Sequence, residues 1–288
     1  MNVLVIGATG YIGRAVAEHL RTAGHKVTGL VRKENSVREL SAAGFDAVGD
    51  LRAASGVEVV VDAASADDPS MPTLVLGTLP EAKLIRTSGT GVYTDLAGGE
   101  PSDIVHTEND GYEPIAALAH RYAIDQSVLA AGGVVLRPSM IYGQGGSDQL
   151  PFLLRAATRD RVARYTGRGL NRYGNVHLDD LAEAYVLAVE RAEPGSVYNL
   201  AADEAEFGAI AEGVAQLLGV AAMSSTLEES VTAFGPLWAL GLASNSRVDS
   251  DRARTELGWA PRGPALLDDL VTGSYRRLWA NREPTVQA

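Results

Sequence analysis

Val3, Leu4, Val5 and Ile6 follow one another without a polar break, the pattern of a parallel strand covered on both faces. A compact run, Gly7-Ala8-Thr9-Gly10-Tyr11-Ile12-Gly13, comes next. From Arg14 onward, Val16, Ala17, Leu20 and Ala23 keep helical spacing until Gly24 stops it. Further strands are predicted at 26–31, near 47–48, and at 57–61, 83–87 and 133–137, with helices at 36–43 and 112–131. The interval 50–56 leaves room for one or two helical turns. Such alternation predicts an α/β fold built on a doubly wound parallel sheet with right-handed crossovers.

Beyond Tyr142 the texture changes. Helical patterns at 149–159, 179–191, 207–218 and 265–278 are interleaved with short strands near 175–177 and 197–200. No Pro/Ser linker, repeat or low-complexity tract separates the halves. We therefore expect one domain over residues 1–142, rejoined by segments near 175–200, and a smaller lobe over 143–288 packed beside it.

Composition narrows the function classes. Apolar residues at 46% supply a core, and charged residues at 21% argue against disorder. The net charge is −11 and no run of Lys and Arg stands out, so no nucleic-acid partner is expected. The absence of cysteine excludes disulfides, thiolate nucleophiles and cysteine-bound metals. The five histidines show no metal-ligand spacing, and no metal is expected. No apolar run approaches the roughly 20 residues that span a bilayer. A small-molecule ligand, no membrane partner and a cytoplasmic setting are the expectations, with a homodimer left open.

The glycine run carries the chemistry. Gly7-x-x-Gly10-x-x-Gly13 directly follows an apolar strand and opens a helix, the context that makes a dinucleotide turn specific. Small residues let the backbone close on a pyrophosphate, while the helix start offers free N–H groups and a positive dipole end.

This turn resembles the TGxxGxxG turn of the extended and atypical short-chain dehydrogenases, the NAD-dependent epimerase/dehydratase-like group. Val48-Gly49-Asp50 resembles that family's adenine-contacting aspartate, and Leu136-Arg137-Pro138-Ser139-Met140-Ile141-Tyr142-Gly143 its strand that meets the nicotinamide. Val176-His177-Leu178-Asp179-Asp180-Leu181-Ala182 is similar to its VHVDDLA segment, and Glu256-Leu257-Gly258-Trp259-Ala260-Pro261 to its ELGWxP. The resemblance implies a Rossmann fold with a smaller C-terminal substrate lobe. It assigns the cofactor to Gly7, Thr9, Gly10, Tyr11, Ile12 and Gly13, with Asp50, Ala63, Arg121 and Pro138 along its path. The second strand ends at Arg32 and Lys33 without an acidic residue. A guanidinium there pairs with a 2′-phosphate rather than a ribose hydroxyl, so NADP(H) is expected over NAD(H).

The family pattern breaks where its proton chemistry should be. The family's Tyr-x-x-x-Lys pair falls on Ala117 and Arg121, in the register that puts Asp125 at its acidic position. Its Ser/Thr position falls on Gly89, between Ser88 and Thr90. A slipped register seats Tyr122 with Gln126 instead. The donor candidates are then His120, Tyr93 and Tyr122, with His120 first because the ordinary pKa of an imidazole lies nearest neutrality. Thr90, Met140 and Arg172 are the candidate substrate contacts. Met140 replaces the asparagine that helps hold a nucleotide sugar in the family's epimerases, and its thioether suits an apolar ligand. Arg172 matches an arginine that meets substrate phosphate. Gly143-Gln144-Gly145-Gly146 reads as a flexible loop at the substrate mouth. These residues predict an NADP(H)-dependent oxidoreductase acting on a small, fairly apolar carbonyl, imine or enone. A catalytically silent NADP-sensing protein and a sugar-nucleotide epimerase or dehydratase are the alternatives.

Overall fold

The computed structural model describes residues 1–31 and 33–279. Its first half alternates β1 (Asn2–Ile6), α1 (Tyr11–Thr22), β2 (Lys26–Leu30), α2 (Glu34–Ala42) and β3 (Asp46–Val48). Then come β4 (Val59–Asp62), α3 (Ser70–Thr78), β5 (Lys83–Thr87), α4 (Ala119–Ala130) and β6 (Val134–Pro138). β7 (Met140–Tyr142), α5 (Gln149–Asp160), β8 (Val162–Thr166), β9 (Arg172–His177), α6 (Leu178–Arg191) and β10 (Val197–Leu200) follow. The chain closes with β11 (Asp203–Glu206), α7 (Phe207–Leu218), β12 (Ala221–Ser225), α8 (Leu227–Phe234), α9 (Pro236–Leu242), α10 (Leu266–Val271) and α11 (Ser274–Trp279).

Seven strands form one sheet in the order β10-β6-β5-β4-β1-β2-β3, and every pairing in it is parallel. Central strands are apolar on both faces: Val3 to Ile6 and Val59 to Val61 are all buried. On one face α1 and α6 meet through Val16, Ala17, Leu20, Leu181, Ala184 and Ala188. On the other, Leu4, Val60 and Leu84 pack under Met71 and Val75 of α3 and Val128 of α4. This is the doubly wound Rossmann arrangement, and it turns the carboxyl ends of β1, β4, β5 and β6 toward one edge. A second core joins Met140, Leu150, Leu154, Phe207, Ile210, Leu270 and Tyr275 beside that edge.

Two expected helices are shorter than their hydrophobic patterns. The pattern over 112–131 becomes helix only from Ala119, after a 3-10 turn at Ala116–Leu118. Pro114 explains the late start, because proline disfavours helical geometry in the residue before it. The pattern over 265–278 breaks between Val271 and Ser274. There the Asp269 carboxylate accepts from the Ser274 N–H and Oγ–H, both at 2.7 Å, and starts a new helix.

Candidate active site

The glycine turn stands at the carboxyl end of β1, and its three glycines do different things. Gly7 adopts φ +80°, and a Cβ there would lie 2.8 Å from the Ala63 carbonyl oxygen. At Gly13 a Cβ would meet the Gly7 carbonyl oxygen at 2.2 Å, so helix and turn close only on glycine. Gly10 is exposed, with an ordinary φ of −80° as the N-cap of α1 and no side-chain cap. A Cβ on Gly10 meets only the Gly7 carbonyl oxygen, at 3.2 Å. The space above it faces the helix start, where the first N–H groups lack intrahelical partners and no acidic residue offsets the dipole. These residues fit a dinucleotide pyrophosphate.

From that turn a cleft of about 510 Å³ runs toward the second core. Gly10, Tyr11, Ile12, Ala63 and Pro138 line its cofactor end. Met140, Ile115, Leu118, Leu237, Trp238 and Leu240 make its other wall apolar. Thr90, Thr94, Ser139, Arg121 and Tyr173 supply most of the polar groups between. Thr90 donates to Ser139 Oγ at 3.2 Å, and the Thr94 and Tyr173 hydroxyls lie 2.9 Å apart.

The mouth of the cleft departs from the sequence reading. Over 143–147, Gly143, Gln144, Gly145 and Ser147 all have positive φ. Instead of a loose loop, this is a turn strapped from three sides. Tyr275 Oη accepts from the Gly143 N–H at 3.1 Å and donates to the Gly146 carbonyl at 2.7 Å. The Gly145 N–H donates to Ser274 Oγ at 2.9 Å, and Tyr11 Oη donates to the Gly143 carbonyl at 2.8 Å.

None of the three expected proton donors is among the residues lining the cleft. His120 lies half exposed on the outer side of α4, with Nε2 2.9 Å from Asp67 Oδ1. Arg121, next to it, grips both oxygens of the same carboxylate at 2.8 Å. The Arg121 hydrogen bonds, with His120 adding to them, hold the Asp67 carboxyl below its ordinary range. Arg121 alone of these three reaches the cleft, and its Nη1 lies over Gly89 and Gly91. Tyr93 is buried beneath the wall, where its hydroxyl accepts from Arg137 Nη1 at 2.7 Å and donates to Asn199 at 3.2 Å. Burial raises its pKa, against the pull of Arg137. Tyr122 packs edge-on to Tyr112 with ring centroids 5.0 Å apart. The roughly 100° between successive helical residues turns these neighbours to different sides.

Arg172 is also redirected. Successive residues of a strand point to opposite faces, and on β9 it is Tyr173 that lines the cleft. Arg172 instead donates to Glu206 at 2.9 Å. Alternation along a strand is the signal that separates these two, once the strand's facing is known. Asp50 is exposed and accepts from the Arg52 N–H at 2.8 Å, capping the short turn after β3. Arg32 lies outside the described residues. Thr9 is half-buried in the turn.

Beneath the cleft sits an ionic cluster. Asp125 of α4 is fully buried and accepts from Arg86 Nε at 3.0 Å, Arg137 Nε at 3.1 Å and Ser88 Oγ at 2.8 Å. Arg86 and Arg137 are buried on β5 and β6. The Arg137 guanidinium also lies over the rings of Tyr93, Tyr112 and Tyr122. One carboxylate thus ties α4 to the ends of the two strands that carry Ser88, Gly89 and Pro138.

Known proteins extend this picture. The model of the NAD dependent epimerase/dehydratase family matches residues 3–201. An uncharacterized protein of Schizosaccharomyces pombe is 28% identical, covering 96% of this chain and 100% of its own. A 2-alkyl-3-oxoalkanoate reductase of Stenotrophomonas maltophilia is 29% identical over 68% of this chain and 67% of its own. Among solved structures, a dTDP-glucose 4,6-dehydratase from Bacillus anthracis in complex with NAD superimposes with a TM-score of 0.72. It is 18% identical, with 96% of each chain covered, a likeness of fold. With the glycine turn, the parallel sheet and the cleft on its carboxyl edge, these matches place the chain in the NAD-dependent epimerase/dehydratase family, as an NAD(P)-dependent enzyme of the short-chain dehydrogenase type.

Proposed function

We propose that the protein is a cytoplasmic NADP(H)-dependent oxidoreductase that reduces a small, fairly apolar carbonyl, imine or enone. One observation carries the substrate class. The wall opposite the dinucleotide turn is Met140, Ile115, Leu118, Leu237, Trp238 and Leu240, and the one cation that lines the cleft among the described residues, Arg121, is already paired with Asp67. A diphosphate placed there would face apolar side chains and a neutralised guanidinium, which argues against a sugar nucleotide. The 2-alkyl-3-oxoalkanoate reductase among the relatives supports the same direction.

In this reading Gly7, Thr9, Gly10, Tyr11, Ile12 and Gly13 hold the pyrophosphate, and Asp50 stands at the adenine end. Ala63, Pro138 and Arg121 line the path to the nicotinamide. The bound dinucleotide supplies a hydride; the chain's own residues orient the substrate and exclude water. Residues 1–142, with β10, form the cofactor domain, and most of 143–288 forms the substrate lobe.

A sensor without turnover is the second reading, favoured by the three lysines of the chain, Lys26, Lys33 and Lys83, none of which completes a Tyr-x-x-x-Lys pair. Following the oxidation of NADPH across ketones, imines and enones, and the formation of products from UDP-sugars by chromatography, separates the readings. Turnover with apolar carbonyls or imines supports the reductase, turnover with UDP-sugars alone sinks it, and silence throughout leaves the sensor.

Cofactor choice gives a separate expectation. NADPH should bind at least tenfold more tightly than NADH, about 1.4 kcal/mol, and Arg32→Ala should remove most of that gap. Calorimetry returning equal affinities, or an unchanged ratio in the variant, counts against Arg32 as the 2′-phosphate ligand.

A further inference from the structure

The cleft contains four titratable side chains among the described residues: Tyr11, Arg121, Asp148 and Tyr173. Three of them are poor sources of a proton for a substrate. Tyr11 already donates to the Gly143 carbonyl at 2.8 Å. Arg121 already donates to both oxygens of Asp67. Asp148 is exposed at the mouth, beside the strapped turn.

Tyr173 differs from them in placement. β9 brings it to the wall between the cofactor end, at Pro138 and Thr90, and the apolar end, at Trp238 and Leu240. Its ring is fixed edge-on against Phe207, with centroids 5.4 Å apart. Its hydroxyl meets Thr94 Oγ1 at 2.9 Å, and Thr94 lines the same cleft. Either oxygen of that pair can be the donor, so a proton can pass along it in both directions.

We propose that Tyr173 is the acid that protonates the substrate oxygen, with Thr94 as its relay. This assignment rests on the reductase reading above. The carbonyl carbon gains a hydride supplied by NADPH, and the π pair of the C=O bond moves onto oxygen. That oxygen takes the proton from Tyr173 Oη. The phenolate left behind is reprotonated through Thr94 Oγ1 from solvent. The substrate is reduced by two electrons, the dinucleotide is oxidised, and one solvent proton is consumed.

Burial raises the pKa of Tyr173 and keeps its proton on at neutral pH, while the Thr94 hydrogen bond and the Arg121 charge oppose that rise and favour the phenolate. Asp95 is the carboxylate that works against them.

The test uses Tyr173→Phe, which keeps the ring packed on Phe207. With a ketone that the parent reduces, the variant should lose about 10²-fold or more in kcat. With an N-alkylated cyclic iminium, which accepts a hydride without a proton, it should turn over at the parent's rate. Calorimetry should show unchanged NADPH affinity, and an unreactive carboxamide of the ketone's skeleton should bind roughly three- to tenfold more weakly. Thr94→Val should slow the ketone less than Tyr173→Phe does. If ketone and iminium rates fall together, or if neither falls, Tyr173 is not the acid while the reductase reading stands. A parent that reduces iminium but no carbonyl also overturns the assignment alone. A parent that reduces nothing overturns the reductase reading and the acid with it.

Discussion

Replacing Asp125 by asparagine should destabilise the protein by about 3–5 kcal/mol, the usual cost of leaving a buried charge without its partner. The side chain keeps its shape but exchanges one acceptor oxygen for an NH2 donor, so that besides the charge either Arg86 or the Arg137 and Ser88 pair loses its acceptor. Arg86 and Arg137, both buried, would then face each other across a neutral amide. Against a total stability of about 5–15 kcal/mol, that is a large share. Urea unfolding should show a lowered midpoint at an unchanged slope. Glu34→Gln provides the comparison, because its pair with Arg38 is exposed on both sides and its loss should barely register. Midpoints that move equally in the two variants would mean that the cluster contributes no more than a surface pair.

The second large effect belongs to Gly10. Gly10→Val should weaken NADPH binding by at least a hundredfold, about 2.7 kcal/mol, with the fold retained. Its φ of −80° is open to any residue, so a branched side chain brings no backbone strain. Only the Gly7 carbonyl, 3.2 Å from the new Cβ, has to give slightly. Gly13→Val should instead abolish folding, since its Cβ would stand 2.2 Å from a backbone oxygen. Circular dichroism and calorimetry on the two variants separate the roles. A Gly10→Val protein that binds NADPH like the parent would place the pyrophosphate elsewhere.

How far the sequence could be read depends on the range of the interactions involved. β5 and β10 appear at the predicted residues because each carries an adjacent apolar pair, Leu84-Ile85 and Val197-Tyr198, and α7 because its period holds over three turns. The glycine turn is equally local. By contrast, α4 starts late because of Pro114, a single residue within an otherwise helical pattern. β7, β8 and β12 draw their order from neighbours across the chain, and their own residues carry little signal. The site divides in the same way. That Tyr173 and not Arg172 faces the cleft depends on which face of β9 the second core covers. The Arg86–Asp125–Arg137 cluster joins three elements whose mutual approach exists only in the finished fold. Family register alone drew attention to His120, Tyr93 and Tyr122, and register says nothing about what a side chain meets once its helix is packed.

The position of β10 has a consequence for how the protein is made. Residues Val197–Leu200 complete the sheet by lying against β6, and α6 packs beside α1 on one of its faces. While the ribosome has released only the first six strands, β6 is an unpaired hydrophobic edge and α1 lacks its neighbour α6. Such an edge invites pairing with another chain, and contacts between distant segments form slowly. The nascent protein is therefore most exposed to aggregation in the interval between the emergence of β6 and that of β10. Slowing elongation within that interval should lower the soluble yield more than the same delay placed after Leu200.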